Sequence, residues 1–116
     1  MNKGNYTQDE CYRIANTIWL QLGSQRFSLT TGTEPLGYGE LDGRVFLLMK
    51  VGKNGRGISL FEVSYDEGRD LYDVRFMRKN GNTMSIAANC SGVFVDMLHG
   101  IFSQYTGIEV NLNQAA

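Results

Sequence analysis

The sequence lacks an excess of positive or negative charge, and it lacks a long apolar segment. Lysine and arginine together number 11, and aspartate and glutamate number 12, which leaves a formal net charge of −1. A dedicated duplex-binding domain usually carries a broad basic surface, so this balance argues against one. The longest wholly apolar run is residues 45–49, whereas a membrane-spanning helix needs about twenty such residues. We therefore expect no membrane partner.

Histidine occurs once and cysteine twice. The single histidine, His99, excludes motifs in which two histidines bind one metal ion. Cys90 precedes a predicted helix, where a thiolate is favoured, so Cys90 and His99 are the catalytic pair to consider. On the same helix, however, they would lie about 10 Å apart, too far for a hydrogen bond. We expect packing or surface roles for both residues, and no zinc site with Cys11.

The two cysteines also bear on the compartment. One disulfide between Cys11 and Cys90 is possible, but residues 1–6 lack the apolar segment of a secretory signal. Disulfides are rare in reducing compartments. We therefore expect two buried free thiols in a cytoplasmic protein.

The overall amino-acid composition is typical of one folded domain. Hydrophobic residues make up 42% and charged residues 20% of the 116 residues, which are ordinary values for a soluble globular chain. A chain of this length forms one domain with one modest core. We predict a single α+β domain over residues 1–116.

An amphipathic helix is predicted near the N-terminus. Thr7 and Glu10 have the spacing of a capping box, in which each side chain bonds the other residue's backbone. Apolar residues then recur every three or four positions, which places them on one stripe, and Gly23 offers a left-handed end. The helix is predicted over Gln8–Leu22.

Residues 26–31 are interpreted as a short strand, followed by a glycine-rich loop over residues 32–43 that contains Pro35. Four strands rich in Val, Ile, Phe and Tyr follow, separated by turn residues that include two Asn-Gly pairs, a strong hairpin signal. These strands are residues 44–51, 57–65, 71–78 and 82–88. A second helix carries an apolar stripe of Phe94, Met97, Leu98, Ile101, Phe102 and Tyr105 and ends at Gly107. Residues 109–112 could add a last strand. The predicted fold is a four- to six-stranded antiparallel meander packed with an N-terminal and a C-terminal helix.

Centring the hairpins on the Asn-Gly pairs predicts their register. Met49 then faces Leu60, Leu48 faces Phe61, Phe76 faces Ser85 and Met77 faces Met84. Large apolar groups would lie on both faces of the sheet, although one face of an antiparallel sheet is usually wet. Helices on opposite faces would cover both, as would a partner chain, so we predict a homodimer that buries a sheet face or edge.

The meander also predicts two charged poles, because alternate hairpin tips lie at opposite ends of the sheet. The basic pole gathers Lys50, Lys53, Arg56, Arg78 and Lys79 as a candidate binding site for a phosphate group or an acidic protein surface. The acidic hairpin at the other pole, the alternative site, holds Asp66, Glu67, Asp70 and Asp73. Solvated loop tips without a binding role are the competing interpretation of both. No pattern indicates a metal or cofactor site.

Four segments carry a resemblance to a known family: TIWLQLG from Thr17, GSQRFSLTTG from Gly23, DLYDVRFMR from Asp70 and GVFVDMLHGIFSQYTG from Gly92. In this order and spacing, between about residues 15 and 112, they resemble small, mostly uncharacterised proteins encoded by bacteriophages and mobile elements. The resemblance implies an accessory protein of a phage or mobile element and transfers no active site.

Three functional hypotheses follow. The first is a non-enzymatic inhibitor or adaptor that binds a host protein, such as an anti-defence factor of the anti-CRISPR kind. The second is a binder of a nucleotide or nucleic acid through the basic hairpin tips. The third is a small enzyme with an unrecognised site, which no catalytic pattern supports.

Overall fold

Five strands form one antiparallel sheet in sequence order in the computed structural model, which describes residues 6–112. The elements are α1 (Gln8–Leu22), α2 (Gln25–Thr31), β1 (Glu34–Leu41), β2 (Arg44–Lys50), β3 (Leu60–Asp66), β4 (Leu71–Asn80), β5 (Thr83–Val93), a 3₁₀ turn (Val95–Met97) and α3 (Leu98–Thr106). The predicted α+β meander with an N-terminal and a C-terminal helix is therefore confirmed. No helix of the described chain is long and apolar enough to cross a membrane.

The first helix has the predicted bounds and the predicted cap. Thr7 Oγ1 accepts a bond of 3.1 Å from the Glu10 amide, and Glu10 Oε1 accepts one of 2.8 Å from the Thr7 amide. Gly23, at a φ of +122°, ends the helix, and its amide donates to the Leu20 carbonyl. Local polar contacts thus fix both ends of α1.

The segment after α1 differs from its prediction. Residues 26–31 lie in a helix, α2, and not in a strand. The Thr31 hydroxyl donates to the Phe27 carbonyl one turn earlier over 2.6 Å, so a threonine-rich segment remains helical while it satisfies its own polar groups. Residues 32–43 are likewise not a loop, because they contain β1. Pro35 and the register shift beside it are tolerated there because β1 is an edge strand.

The predicted register is wrong by one residue in the first hairpin. Met49 faces Phe61 and Lys50 faces Leu60, because residues 51–59 form a longer loop than the two-residue turn that the Asn-Gly pair predicts. In the second hairpin Asn80 pairs with Thr83, which places the turn at residues 81–82. The pairs predicted there are corrected to Phe76 with Ala88 and Met77 with Ile86.

The true register gives the sheet one fully buried face. Phe61 and Phe76 stack on it at 5.0 Å, and Phe102 of α3 packs on Phe61 at 5.1 Å and on Phe27 of α2 at 5.0 Å. Ile18 of α1 belongs to the same core, so all three helices cover the same face and none is described on the other. The opposite face, which we call the open face, carries half-buried apolar side chains beside polar ones; on β2, β3 and β4 these include Phe46, Leu48, Leu60, Glu62, Arg75 and Met77.

The C-terminal helix begins later than predicted. Phe94 and Met97 lie before it and are 58% and 43% exposed, so neither belongs to the buried stripe. Leu98 and Phe102 are buried as predicted, and Gly107 ends the helix in the left-handed conformation. Residues 109–112 form no strand.

Truncation of Phe102 and Ile18 tests this core. Phe102→Ala should lower the free energy of unfolding by about 3–5 kcal/mol and Ile18→Ala by about 2–5 kcal/mol, because each leaves a cavity between helices and sheet. Urea denaturation measures both losses. Leu29→Ala, at a side chain that is 68% exposed, is the control and should change little. Losses below about 1 kcal/mol at both core sites would contradict the helix phases.

Candidate binding surfaces at the two poles of the sheet

The basic pole forms where the β2–β3 loop and the β4–β5 turn meet. The guanidinium Nε of Arg78 donates to the carbonyl of Arg56 over 2.9 Å, which joins the two connections. Lys50, Lys53 and Lys79 line one groove beside them. The structure therefore brings the predicted cations to the same end of the sheet.

Two of these five cations have bonds within the fold. Arg56 Nη1 donates to the carbonyl of Gln104 in the last turn of α3, where a cation also favours the helix dipole. Arg78 is held by the Arg56 carbonyl. The three lysines form no ion pair with any carboxylate of residues 6–112. The pole thus divides into two structural arginines and three lysines that face solvent or a ligand.

Asn54 organises the loop between β2 and β3. Its Oδ1 accepts from the amides of Arg56 at 3.1 Å and Ile58 at 3.0 Å, and its Nδ2 donates to the carbonyls of Gly52 and Ile58, both at 2.8 Å. A phosphate held by a loop of this kind would need the same backbone amides. The Asn54 side chain therefore occupies the position that an anion would take.

A groove of about 510 Å³ lies beside this loop. Lys50, Lys53 and Lys79 contribute its charge, and its apolar lining residues are Leu36, Val51, Ile58, Leu60 and Met84. We call it the lysine groove. Glu34, which pairs with Lys50 across β1 and β2, is the nearby carboxylate. Apolar surface flanked by ammonium groups suits a ligand that is itself both apolar and acidic.

Half of the carboxylates in the acidic hairpin form ion pairs within the fold. Asp66 lies 2.6 Å from Arg69 Nε and 3.4 Å from Arg44 Nη2, and Asp73 contacts the same two arginines. The hydrogen bond from Arg69 lowers the pKa of Asp66 below its usual value. Two of the four predicted carboxylates thus serve an internal ion-pair network.

The other two carboxylates of the hairpin accept hydrogen bonds from tyrosines. Tyr65 donates to Asp70 over 2.6 Å, which raises the pKa of Tyr65 to about 12, and Tyr6 donates to Glu67. A third tyrosine, Tyr72, donates to Gln21 of α1. The three tyrosines and Asp70 line a pocket of about 420 Å³ between α1 and the hairpin, together with Glu10, Arg13, Ile14, Thr17 and Gln21. We call it the tyrosine pocket.

The sequence analysis missed the tyrosine pocket. Two signals were present: Tyr65 and Tyr72 lie at equal distances from the hairpin tip, and α1 carries a polar stripe at positions 10, 13, 17 and 21. Neither signal shows that the stripe faces the hairpin, because that depends on how α1 packs on the sheet.

Cys90 and His99 do not form a pair. Cys90 lies in β5 and not before a helix. It is next to Tyr105, and a side-chain hydrogen bond with Cys90 raises the pKa of Tyr105. His99 Nε2 lies 2.6 Å from the Leu22 carbonyl, and its ring stacks on Phe27 at 6.0 Å. Both cysteines are free. Within residues 6–112 no group of three potential ligands could hold a metal ion.

Comparisons with protein-family models, curated proteins and solved structures gave no significant match to this chain. The lysine groove and the tyrosine pocket lie at opposite ends of the strands.

Replacing Asn54 tests whether its side chain holds the basic loop in place. Asn54→Ala removes four hydrogen bonds and leaves part-buried backbone groups without partners, so we expect a loss of about 1–3 kcal/mol in the free energy of unfolding. Asn82→Ala, in the exposed β4–β5 turn, is the matched control and should cost less than about 0.5 kcal/mol. Equal stability of the two variants in urea denaturation would rule out this role.

Proposed function

We propose that the protein acts by binding a partner protein at the lysine groove, without catalytic turnover. The observation that carries the proposal is the juxtaposition of three lysines with Leu36, Leu60 and Met84 on an uncovered part of the sheet. An acidic and apolar segment of a partner protein would match both the charge and the apolar surface.

The apolar surface favours a protein partner over a nucleic acid. Nucleic-acid sites depend chiefly on phosphate contacts and on aromatic side chains that stack with bases. No aromatic residue of the described chain, residues 6–112, lines the lysine groove, and the loop amides beside it are bonded to Asn54. A nucleotide or nucleic acid, held by the same lysines, remains the alternative ligand.

We further propose that the partner belongs to a host cell and that the protein is an inhibitor or adaptor from a phage or mobile element, of the anti-defence or anti-CRISPR kind. This part rests on the sequence resemblance and on analogy.

A single charge reversal tests the lysine groove. Wild type, Lys79→Glu and Arg26→Glu are used as bait in a bacterial host lysate, and the affinity for each captured protein is then measured. Both variants change the net charge by the same amount, but Arg26 lies on α2, away from the groove. We expect Lys79→Glu to weaken binding at least tenfold, with a flatter salt dependence, and Arg26→Glu to leave it unchanged.

Two results would count against this proposal. Equal loss of binding in both variants would mean that only net charge matters. Saturable binding of a labelled 20-nucleotide single strand or of ATP, lost in Lys79→Glu while no protein is captured, would establish the alternative.

We propose that the predicted homodimer forms through the open face. Both sheet edges are interrupted, β1 by Pro35 and its register shift and β5 by irregularities at Ala87 and near Gly92, and such features hinder edge pairing. The open face carries half-buried apolar side chains, including Phe46, Leu48 and Leu60. A dimer formed there would cover the lysine groove, so dimerisation would compete with partner binding.

Light scattering tests this assembly. We expect a mass of about twice the chain's 13.0 kDa at micromolar concentration, reduced to the monomer value by Leu48→Glu on the open face. Leu20→Glu, at an exposed position of α1, is the control and should remain dimeric. A monomer mass for the wild-type protein would refute the dimer.

A further inference from the structure

The tyrosine pocket has an unusual distribution of hydrogen-bonding groups. Each of its three tyrosines donates its only hydroxyl proton within the fold: Tyr65 to Asp70, Tyr72 to Gln21 and Tyr6 to Glu67. A phenol whose proton is already donated can only accept a further bond. All three hydroxyls therefore present acceptors to a ligand.

The charged groups add to this bias. Asp70 and Glu10 both line the pocket, and Glu67 lies beside it at the Tyr6 hydroxyl. Asp70 Oδ1 accepts the hydrogen bond from Tyr65, and no hydrogen bond to Asp70 Oδ2 is present among residues 6–112. Among residues 6–112, the lining contains the cation Arg13 and the two carboxylates Asp70 and Glu10.

The donors lie on the helix side of the pocket. Tyr72 donates to the side-chain carbonyl oxygen of Gln21, so the side-chain NH₂ group of Gln21 remains as a donor. Arg13 on the same helix is a second donor. A ligand that fits would thus donate protons toward Asp70 and Tyr65 and accept them from α1.

The aromatic rings favour a cation further. Tyr65 and Tyr72 contact each other edge to face at 5.9 Å, and tyrosine faces attract guanidinium and ammonium groups. Asp70, which accepts a bond from the Tyr65 hydroxyl, supplies a counter-charge in the same pocket.

We propose that the tyrosine pocket binds the guanidinium or ammonium group of an organic cation. The cation could be a free small molecule or a basic side chain exposed on another protein. The proposal is independent of the lysine groove, which lies at the other end of the strands.

Two probes of equal shape test the charge requirement. Both probes are used with an acetylated α-amino group, so that L-argininamide carries only the guanidinium charge and L-citrullinamide carries a neutral urea of nearly the same shape. Titration calorimetry and amide chemical shifts of the labelled full chain should show saturable binding of the first at millimolar concentration or below. The second should bind at least tenfold more weakly.

Asp70→Asn is the decisive variant. Asp70 has a φ of +54°, a conformation that asparagine also tolerates, and the amide oxygen can still accept from Tyr65. The variant thus removes charge with little change of shape, and we expect L-argininamide to bind at least tenfold more weakly. Asp96→Asn, on the exposed 3₁₀ turn, changes the net charge equally and should bind like the wild-type protein. Tyr65→Phe provides a second variant, with an expected loss of several-fold.

Three outcomes would overturn the proposal: equal binding of both probes, unchanged affinity in Asp70→Asn, or no saturable binding of L-argininamide. A third probe, the peptide acetyl-Gly-Arg-Gly-amide, distinguishes the two sources of the cation. If it binds as tightly as L-argininamide, the pocket accepts a basic side chain exposed on a protein; if it does not bind while L-argininamide does, the pocket accepts only a free cation.

Discussion

The packing of Phe102 between Phe27 and Phe61 is the constraint on which the rest of the architecture depends. It joins α3, α2 and the centre of the sheet within about 5 Å, so both helices lie on the same face of the sheet. Since α1 shares that core, no described helix remains to cover the other face. The open face is thus a consequence of how the buried face is packed.

The meander then distributes charge between the two ends of that sheet. Consecutive antiparallel strands place the β2–β3 and β4–β5 connections at one end and the β3–β4 hairpin at the other. At the acidic end, Arg44 and Arg69 neutralise Asp66 and Asp73. At the basic end the lysines have no such partners in the described chain. The electrostatic potential is therefore uneven over the surface, although the net charge is close to zero.

Local signals predicted the fold well where local interactions decide it. The cap of α1 at Thr7 depends on residues within one turn, and the helix bounds are correct. The segment 26–31 was misassigned because its β-branched threonines favour a strand, whereas burial of Phe27 against Phe102 favours the helix. The first register was wrong because Asn54 bonds backbone groups across a longer loop, so the Asn-Gly pair forms no two-residue turn. Long-range packing and side-chain bonds decided both cases.

The same distinction limits how far a binding site can be predicted from a charge pattern. Topology alone brings five cations together, but whether each is free depends on contacts distant in sequence, such as that of Arg56 with Gln104. A guanidinium held by a backbone carbonyl must give up that bond to serve a ligand, whereas a solvated lysine gives up only water. Arg56 is therefore poorly suited to recognition, and Lys53 and Lys79 are better suited. The tyrosine pocket is the opposite case, a site that no charge pattern predicts. Its side chains line one pocket only because α1 packs beside the hairpin.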